Sequence, residues 1–162
     1  PITNIAPYIS QAHKRVEEYT GIKFGEKFLK ELLWKEDYIM SSEKPSIALT
    51  VFKTFNNTPR AIDFAHDIQN AFYYEAQSLN DDATYLNLLA PYNIDKEEYR
   101  KRLNDEYYKK EAYKEFLLSH KLEVSGFPTV IMYIGEKGYV IARGFASYED
   151  LKKQINKLGG FN

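Results

Sequence analysis

Cysteine is missing from all 162 residues, and that one absence removes a disulfide framework, a thiolate nucleophile and a sulfur metal site together. An excess of either charge is missing too, since 22 Lys and Arg stand against 23 Asp and Glu for a formal net charge of -1. A surface so balanced offers no electrostatic footprint for a polyanion or an acidic membrane, so nucleic acid is not an expected partner. Every apolar run is shorter than the ~18 residues that a bilayer crossing requires, and no basic, apolar, small-residue leader opens the chain. Beginning at Pro1 rather than Met, the sequence reads as truncated or processed, which leaves the compartment open.

What is present is ordinary for a globular protein with a core, 44% hydrophobic and 28% charged. Tyr at 14 and Phe at 10 are plentiful, and such rings pack helices together or line an apolar groove.

Helical periodicity dominates the first three quarters. Ile5, Tyr8, Ile9, Ala12, Val16 and Tyr19 recur at spacings of three and four, predicting a helix over about 4–19 that Gly21 ends. Phe28, Leu29, Leu32 and Leu33 give one apolar face over 27–34, and Pro45 opens a helix that turns Ile47, Ala48, Val51 and Phe52 inward. Thr58 is the expected N-cap and Pro59 the first position of a helix carrying Ile62, Phe64, Ala65, Ile68, Ala71, Phe72 and Ala76. Asn80, Asp81 and Asp82 form a capping cluster for a helix that stops before Pro91. Asp95 caps the next, with Glu98 where a capping box has it. A charged helix over 105–120 sets Tyr108, Ala112, Tyr113, Phe116 and Leu117 on one face.

The character changes near Val124. Two β-branched and aromatic runs, 128–134 and 139–143, flank a turn bracketed by Gly135 and Gly138, the signature of a β-hairpin. Ser147 then caps a last helix over 148–158, with Leu151, Ile155 and Leu158 inward. A hairpin alone is marginal, and the strands that would extend this sheet are not visible in the sequence.

The order Val124-Ser125-Gly126-Phe127-Pro128-Thr129, strand, glycine turn, strand, Arg143-Gly144 and capped helix resembles the C-terminal ββα unit of thioredoxin-fold proteins. The helical text before it, with Gly21, Phe24, Phe28 and the Ala71-Phe72-Tyr73 helix, resembles the large insertion of the DsbA-like branch. In particular it resembles the cytosolic-type relatives of the polyketide-biosynthesis dithiol-disulfide isomerase kind. The resemblance implies an α/β, thioredoxin-like fold with a large helical insertion. It implies a helical lid over 1–122 and the ββα part over 123–162, with the N-terminal strands and active-site helix of the family absent from this chain.

The family's Cys-x-x-Cys motif has no counterpart here. A cysteine at a helix N-terminus works because the dipole and free N–H groups hold the thiolate, and without it exchange has no nucleophile. The resemblance therefore implies no catalytic residue in this chain, no cofactor, and a substrate-binding segment made of Gly126, Phe127, Pro128 and Thr129. It also implies a cis Phe127–Pro128 peptide whose preceding backbone pairs with an extended substrate in the manner of strand addition. Read without the resemblance, Pro128 could be a trans proline ending a loop, Phe127 a core ring and Thr129 a residue placed by strand propensity.

Other constellations carry less. His13, His66 and His120 fall on three separate helices with no ligand spacing, so no metal site is expected. Glu17-Glu18, Asp81-Asp82 and Glu97-Glu98 read as solvated faces or helix-start charges, and Gly135-Glu136-Lys137-Gly138 as a hairpin turn rather than a phosphate loop.

Three functions follow as expectations. The first is a thiol–disulfide oxidoreductase or isomerase in the full-length parent, acting on protein or small-molecule thiols, with a cytoplasmic setting implied by the resembled subgroup. The second is a glutathione-dependent isomerase or transferase of the kappa type, and the third a redox-inactive thioredoxin-like binding module. An unfinished sheet would leave Val130, Met132, Val140 and Leu151 open to water, so the chain is expected to self-associate or to be completed by other residues.

Overall fold

The structure is a computed structural model that describes residues 1–159. Its elements run α1 (Ala6–Thr20), α2 (Glu26–Lys30), α3 (Glu43–Phe52), α4 (Ala61–Tyr73), α5 (Asp82–Leu88), α6 (Lys96–Leu103), α7 (Glu106–Lys121), β1 (Thr129–Ile134), β2 (Lys137–Arg143) and α8 (Tyr148–Lys157). Single 3₁₀ turns at Ile2–Asn4, Leu32–Trp34, Thr58–Arg60 and Ala90–Tyr92 link them. The chain forms two compact units, Pro1–Tyr113 and the part that begins at Lys114.

The first unit is entirely helical and holds the core. Ile47, Ala48, Val51 and Phe52 of α3 pack with Phe64 and Ile68 of α4, Tyr85 and Leu86 of α5 and Tyr99 and Leu103 of α6. Aromatic geometry orders this packing: Phe52 stacks on Phe64 with centroids 4.2 Å apart, and Tyr92 stands edge-on to both. Buried hydroxyls find carbonyl acceptors, Tyr99 donating to Ala48 at 2.7 Å and Tyr85 to Leu79 at 2.6 Å, so the rings fill volume without orphaning a polar atom. A second cluster joins Ile2, Ala6, Phe28, Leu33, Tyr38 and Phe72.

Several helix boundaries differ from the sequence expectation, each for a local reason. The helix expected over 27–34 breaks at Glu31 (φ -120°, ψ -68°), and Leu32 and Leu33 reach the core from a 3₁₀ turn instead. Thr58 is not an N-cap. It has helical dihedrals, its hydroxyl donates to the Lys53 carbonyl, and a π turn over Lys53–Asn57 carries α3 almost directly into the next 3₁₀ turn. Consequently α4 starts at Ala61, leaves Ile62 83% exposed, and ends before Ala76, which takes φ 57° in the following loop. On α1 the packed side is Ala6, Ile9 and His13, while Tyr8, Val16 and Tyr19 of the apolar stripe face solvent.

Capping follows the sequence at Asp95, whose carboxylate accepts from the Glu98 N–H at 2.7 Å. The capping box stays half made, because the Glu98 carboxylate binds Arg102 at 2.8 Å. Asp82 likewise turns away from capping. Burial opposes its ionisation, but hydrogen bonds from Lys44 and Asn104 outweigh this and hold its carboxyl below the usual range.

The second unit contains the end of α7, the hairpin and α8. Strands β1 and β2 pair antiparallel from Thr129↔Arg143 to Ile134↔Lys137, with a bulge that leaves Ile141 without a partner between Val130↔Ala142 and Ile131↔Val140. The turn is tighter than expected, β2 beginning at Lys137 after Gly135 (φ 59°) and Glu136. Ser147 caps α8, accepting from the Asp150 N–H at 3.1 Å. No described residue of this unit is fully buried: Val130 and Val140 are exposed, and Met132 and Leu151 only partly covered.

Candidate functional site

The predicted segment lies between α7 and β1. Beyond Lys121 the backbone reverses through Glu123 (φ 54°), with the Val124 N–H still reaching the Ser119 carbonyl at 3.1 Å. Residues 125–128 then cross to the start of β1, and the Phe127–Pro128 peptide is cis.

Two hydrogen bonds hold this crossing. The Thr129 hydroxyl donates to the Gly126 carbonyl at 2.7 Å, closing the loop on itself. The Gly144 N–H donates to the Pro128 carbonyl at 2.8 Å, tying the loop to the end of β2. Gly144 sits at φ 75°, where a β carbon would be strained, so glycine suits this clasp. The structure thus brings Gly126, Phe127, Pro128 and Thr129 together and adds Gly144.

Phe127 is the outlier. Its ring is 82% exposed, so it is not a core residue. Among the described residues no hydrogen bond engages its N–H or carbonyl. A backbone donor and acceptor held open beside a strand start can pair with another extended chain. Sequence reasoning missed the neighbours across the clasp, Phe145 and Tyr148, which are also exposed. The signal was present as two aromatics, one between the strand-ending Gly144 and the Ser147 cap and one opening the helix after that cap.

Among the described residues no group of three His, Asp or Glu could hold a metal ion. His13 places Nδ1 3.1 Å from the Ile9 carbonyl and meets the edge of Phe24, which is a packing role. A cleft of the first unit is lined by Glu43, Lys44, Asn80 and Lys109 among others, and its lysines are held in ion pairs, Lys44–Asp82 at 2.7 Å and Lys109–Glu43 at 3.3 Å.

Helices followed by a loop clasped at Pro128, a hairpin and a capped helix are the order expected of a thioredoxin-type chain, and the family Thioredoxin_5, described as thioredoxin, matches residues 10–153. The chain belongs to this thioredoxin family. Its fold is that of the DsbA-like disulfide isomerases and reductases.

A crystal structure from Nitrosomonas europaea, of a protein provisionally assigned as a protein disulfide isomerase, is similar at TM-score 0.79 and 21% identity, covering 89% of this chain and 68% of that one. The cytosolic disulfide reductase DsbM from Pseudomonas aeruginosa is similar at TM-score 0.79 and 19% identity, over 96% of this chain and 77% of that one. The same reductase in its structure with GSH gives TM-score 0.71 at 19% identity, over 90% and 72% of the two chains. At these identities the likeness is one of fold. No curated protein matches this chain in sequence. Among the described residues no helix is long and apolar enough to cross a membrane.

Proposed function

We propose that these residues are the helical lid (1–122) and substrate-docking end (123–162) of a DsbA-like thiol–disulfide oxidoreductase or isomerase that works on thiols of proteins or small molecules in the cytoplasm. The observation that carries the reading is the open backbone of Phe127, presented at the start of β1 and steadied by the Thr129–Gly126 and Gly144–Pro128 hydrogen bonds. Gly126 leaves space beside it, since a β carbon there would meet nothing within 4 Å. An extended substrate laid along 126–129 gains main-chain hydrogen bonds and holds its sulfur in a fixed place. Exchange itself needs a thiolate, and with no cysteine in 162 residues that group belongs to something outside them.

A second reading, a glutathione-handling enzyme, draws on the neighbouring reductase whose structure contains GSH. Under it the docking loop holds a tripeptide thiol rather than a protein strand.

The experiment is competition. The chain alone should reduce no insulin above background. Added in excess over an oxidised, disulfide-containing peptide to an active disulfide reductase, it should slow turnover in proportion to the substrate it sequesters. Turnover by the chain alone, or no slowing at saturating chain, contradicts the proposal.

A further inference from the structure

Helix α1 carries more apolar surface than its packing uses. Ala6, Ile9 and His13 turn toward the rest of the first unit. At 100° per residue, Ile5, Tyr8, Ala12, Val16 and Tyr19 fall within an arc of about 80°, centred roughly 90° round the helix from those three. Tyr8 is 74% exposed, Tyr19 63%, and Ile5 and Val16 40% each. Single apolar side chains in water are ordinary. Four large ones in a row along one side of a helix mark a contact surface.

The spacing of the row points to its occupant. Its steps are three, four, four and three, so it reads the same in both directions about Ala12. When two copies of α1 lie antiparallel across a twofold axis at Ala12, Ile5 comes level with Tyr19, Tyr8 with Val16, and Ala12 with itself. A twofold contact demands this self-complementarity, because one patch must serve both sides. The small residue falls at the centre, where packed helix axes approach to ~8–10 Å. Antiparallel packing also sets each helix N-terminus beside the other's C-terminus, the favourable sense for the helix dipoles. Charge agrees: Lys14 and Glu18 point away from the row, and Arg15 at its border falls beside Tyr8 of the second copy, where a guanidinium can lie on the ring.

We propose that the exposed row of α1 is an isologous contact that joins two copies of this chain antiparallel, with Ala12 on the twofold axis. The size of the patch sets its strength. A helix of 15 residues offers a strip about 22 Å long and roughly 10 Å wide. That is well under the ~600 Å² a copy at which standard interfaces begin, so the dimer is weak and reversible. The contact lies within the first unit and is independent of the docking role of the 126–129 loop.

Because the chain has no cysteine, single introduced thiols read the contact without background. Oxidative cross-linking with copper–phenanthroline is run on the full chain carrying Ile134→Lys and Val140→Lys, which removes apolar side chains from the hairpin. Ala12→Cys should join to itself at least about fivefold faster than Tyr8→Cys or Lys14→Cys, since only position 12 meets its own copy within the roughly 4.4–6.8 Å Cα separation that a disulfide spans. A mixture of Tyr8→Cys and Val16→Cys chains should form the mixed dimer faster than either joins to itself. In sedimentation from about 10 µM to 1 mM, adding Tyr8→Glu and Val16→Glu to the same background should weaken dimerisation at least about tenfold, with far-ultraviolet circular dichroism unchanged. Tyr8→Cys joining to itself as fast as Ala12→Cys would show a parallel or unspecific contact. Ala12→Cys no faster than the outward Lys14→Cys would show that something other than a second copy covers the row. Glutamate variants that associate like the background chain would place association elsewhere. Each of these results overturns the proposal and leaves the docking role of the 126–129 loop standing.

Discussion

Gly25 and Tyr74 are in backbone contact: a β carbon on Gly25 would run into the Tyr74 carbonyl, while the Gly25 N–H donates to the Tyr73 carbonyl at 2.9 Å. This close approach seats the start of α2 on the end of α4 and buries Phe28 between Phe72 and Tyr73. Gly25→Ala should therefore cost about 3 kcal/mol or more, because the obstruction is backbone and cannot rotate away. Thermal unfolding followed by circular dichroism should show a drop on the order of 10 °C. A loss under about 1 kcal/mol would mean that the contact relaxes freely.

The caps separate real from apparent signals. Asp95→Ala and Ser147→Ala should each cost about 1 kcal/mol in urea denaturation, since each side chain satisfies a helix-start N–H. Thr58→Ala should cost under about 0.5 kcal/mol, because its hydroxyl only donates to the Lys53 carbonyl at 3.3 Å. Equal losses at Thr58 and Asp95 would contradict this assignment.

What was legible in the sequence was whatever a short window decides. The inward face of α3, the caps at Asp95 and Ser147 and the hairpin all follow from residues within one or two turns of each other. What was not legible depended on partners far along the chain. Asp82 reads as a cap until Lys44 and Asn104 claim its carboxylate, and Ile62 reads as core although the face of α4 that packs is Phe64, Ile68, Ala71 and Phe72. The 126–129 segment was singled out by its motif. Phe145 and Tyr148 were missed because only the Gly144–Pro128 hydrogen bond places them beside it.

Alkaline pH should weaken the fold. Burial pushes the phenols of Tyr85, Tyr99 and Tyr92 well above their ordinary value, with the Asp67 carboxylate adding to the effect at Tyr92, and burial raises Tyr38 and Tyr73 as well. In the unfolded chain these groups ionise near pH ~10, so above that the unfolded state has lost protons that the folded state keeps. Stability is then full below about pH 10 and falls as pH rises through the folded values. Urea midpoints from pH 8 to 11 should decline only at the upper end, and a flat profile would contradict the burial of these hydroxyls.

The uncovered second unit should promote association. Ile134 and Val140 are exposed on a sheet whose described strands are β1 and β2 alone, and apolar strands with free edges pair with other chains. Sedimentation should show mass rising with concentration, and Ile134→Lys with Val140→Lys should reduce it. A concentration-independent monomer would contradict this expectation.

The central claim, that the 126–129 loop docks an extended substrate, is tested most directly by amide chemical shifts of the labelled chain titrated with an extended apolar peptide. The account predicts the largest shifts at the Gly126, Phe127 and Thr129 amides, with slowed hydrogen exchange at Phe127 as its N–H gains a partner. Shifts centred instead on the cleft of Glu43, Lys44 and Lys109, or an unchanged Phe127 amide at saturation, would contradict it.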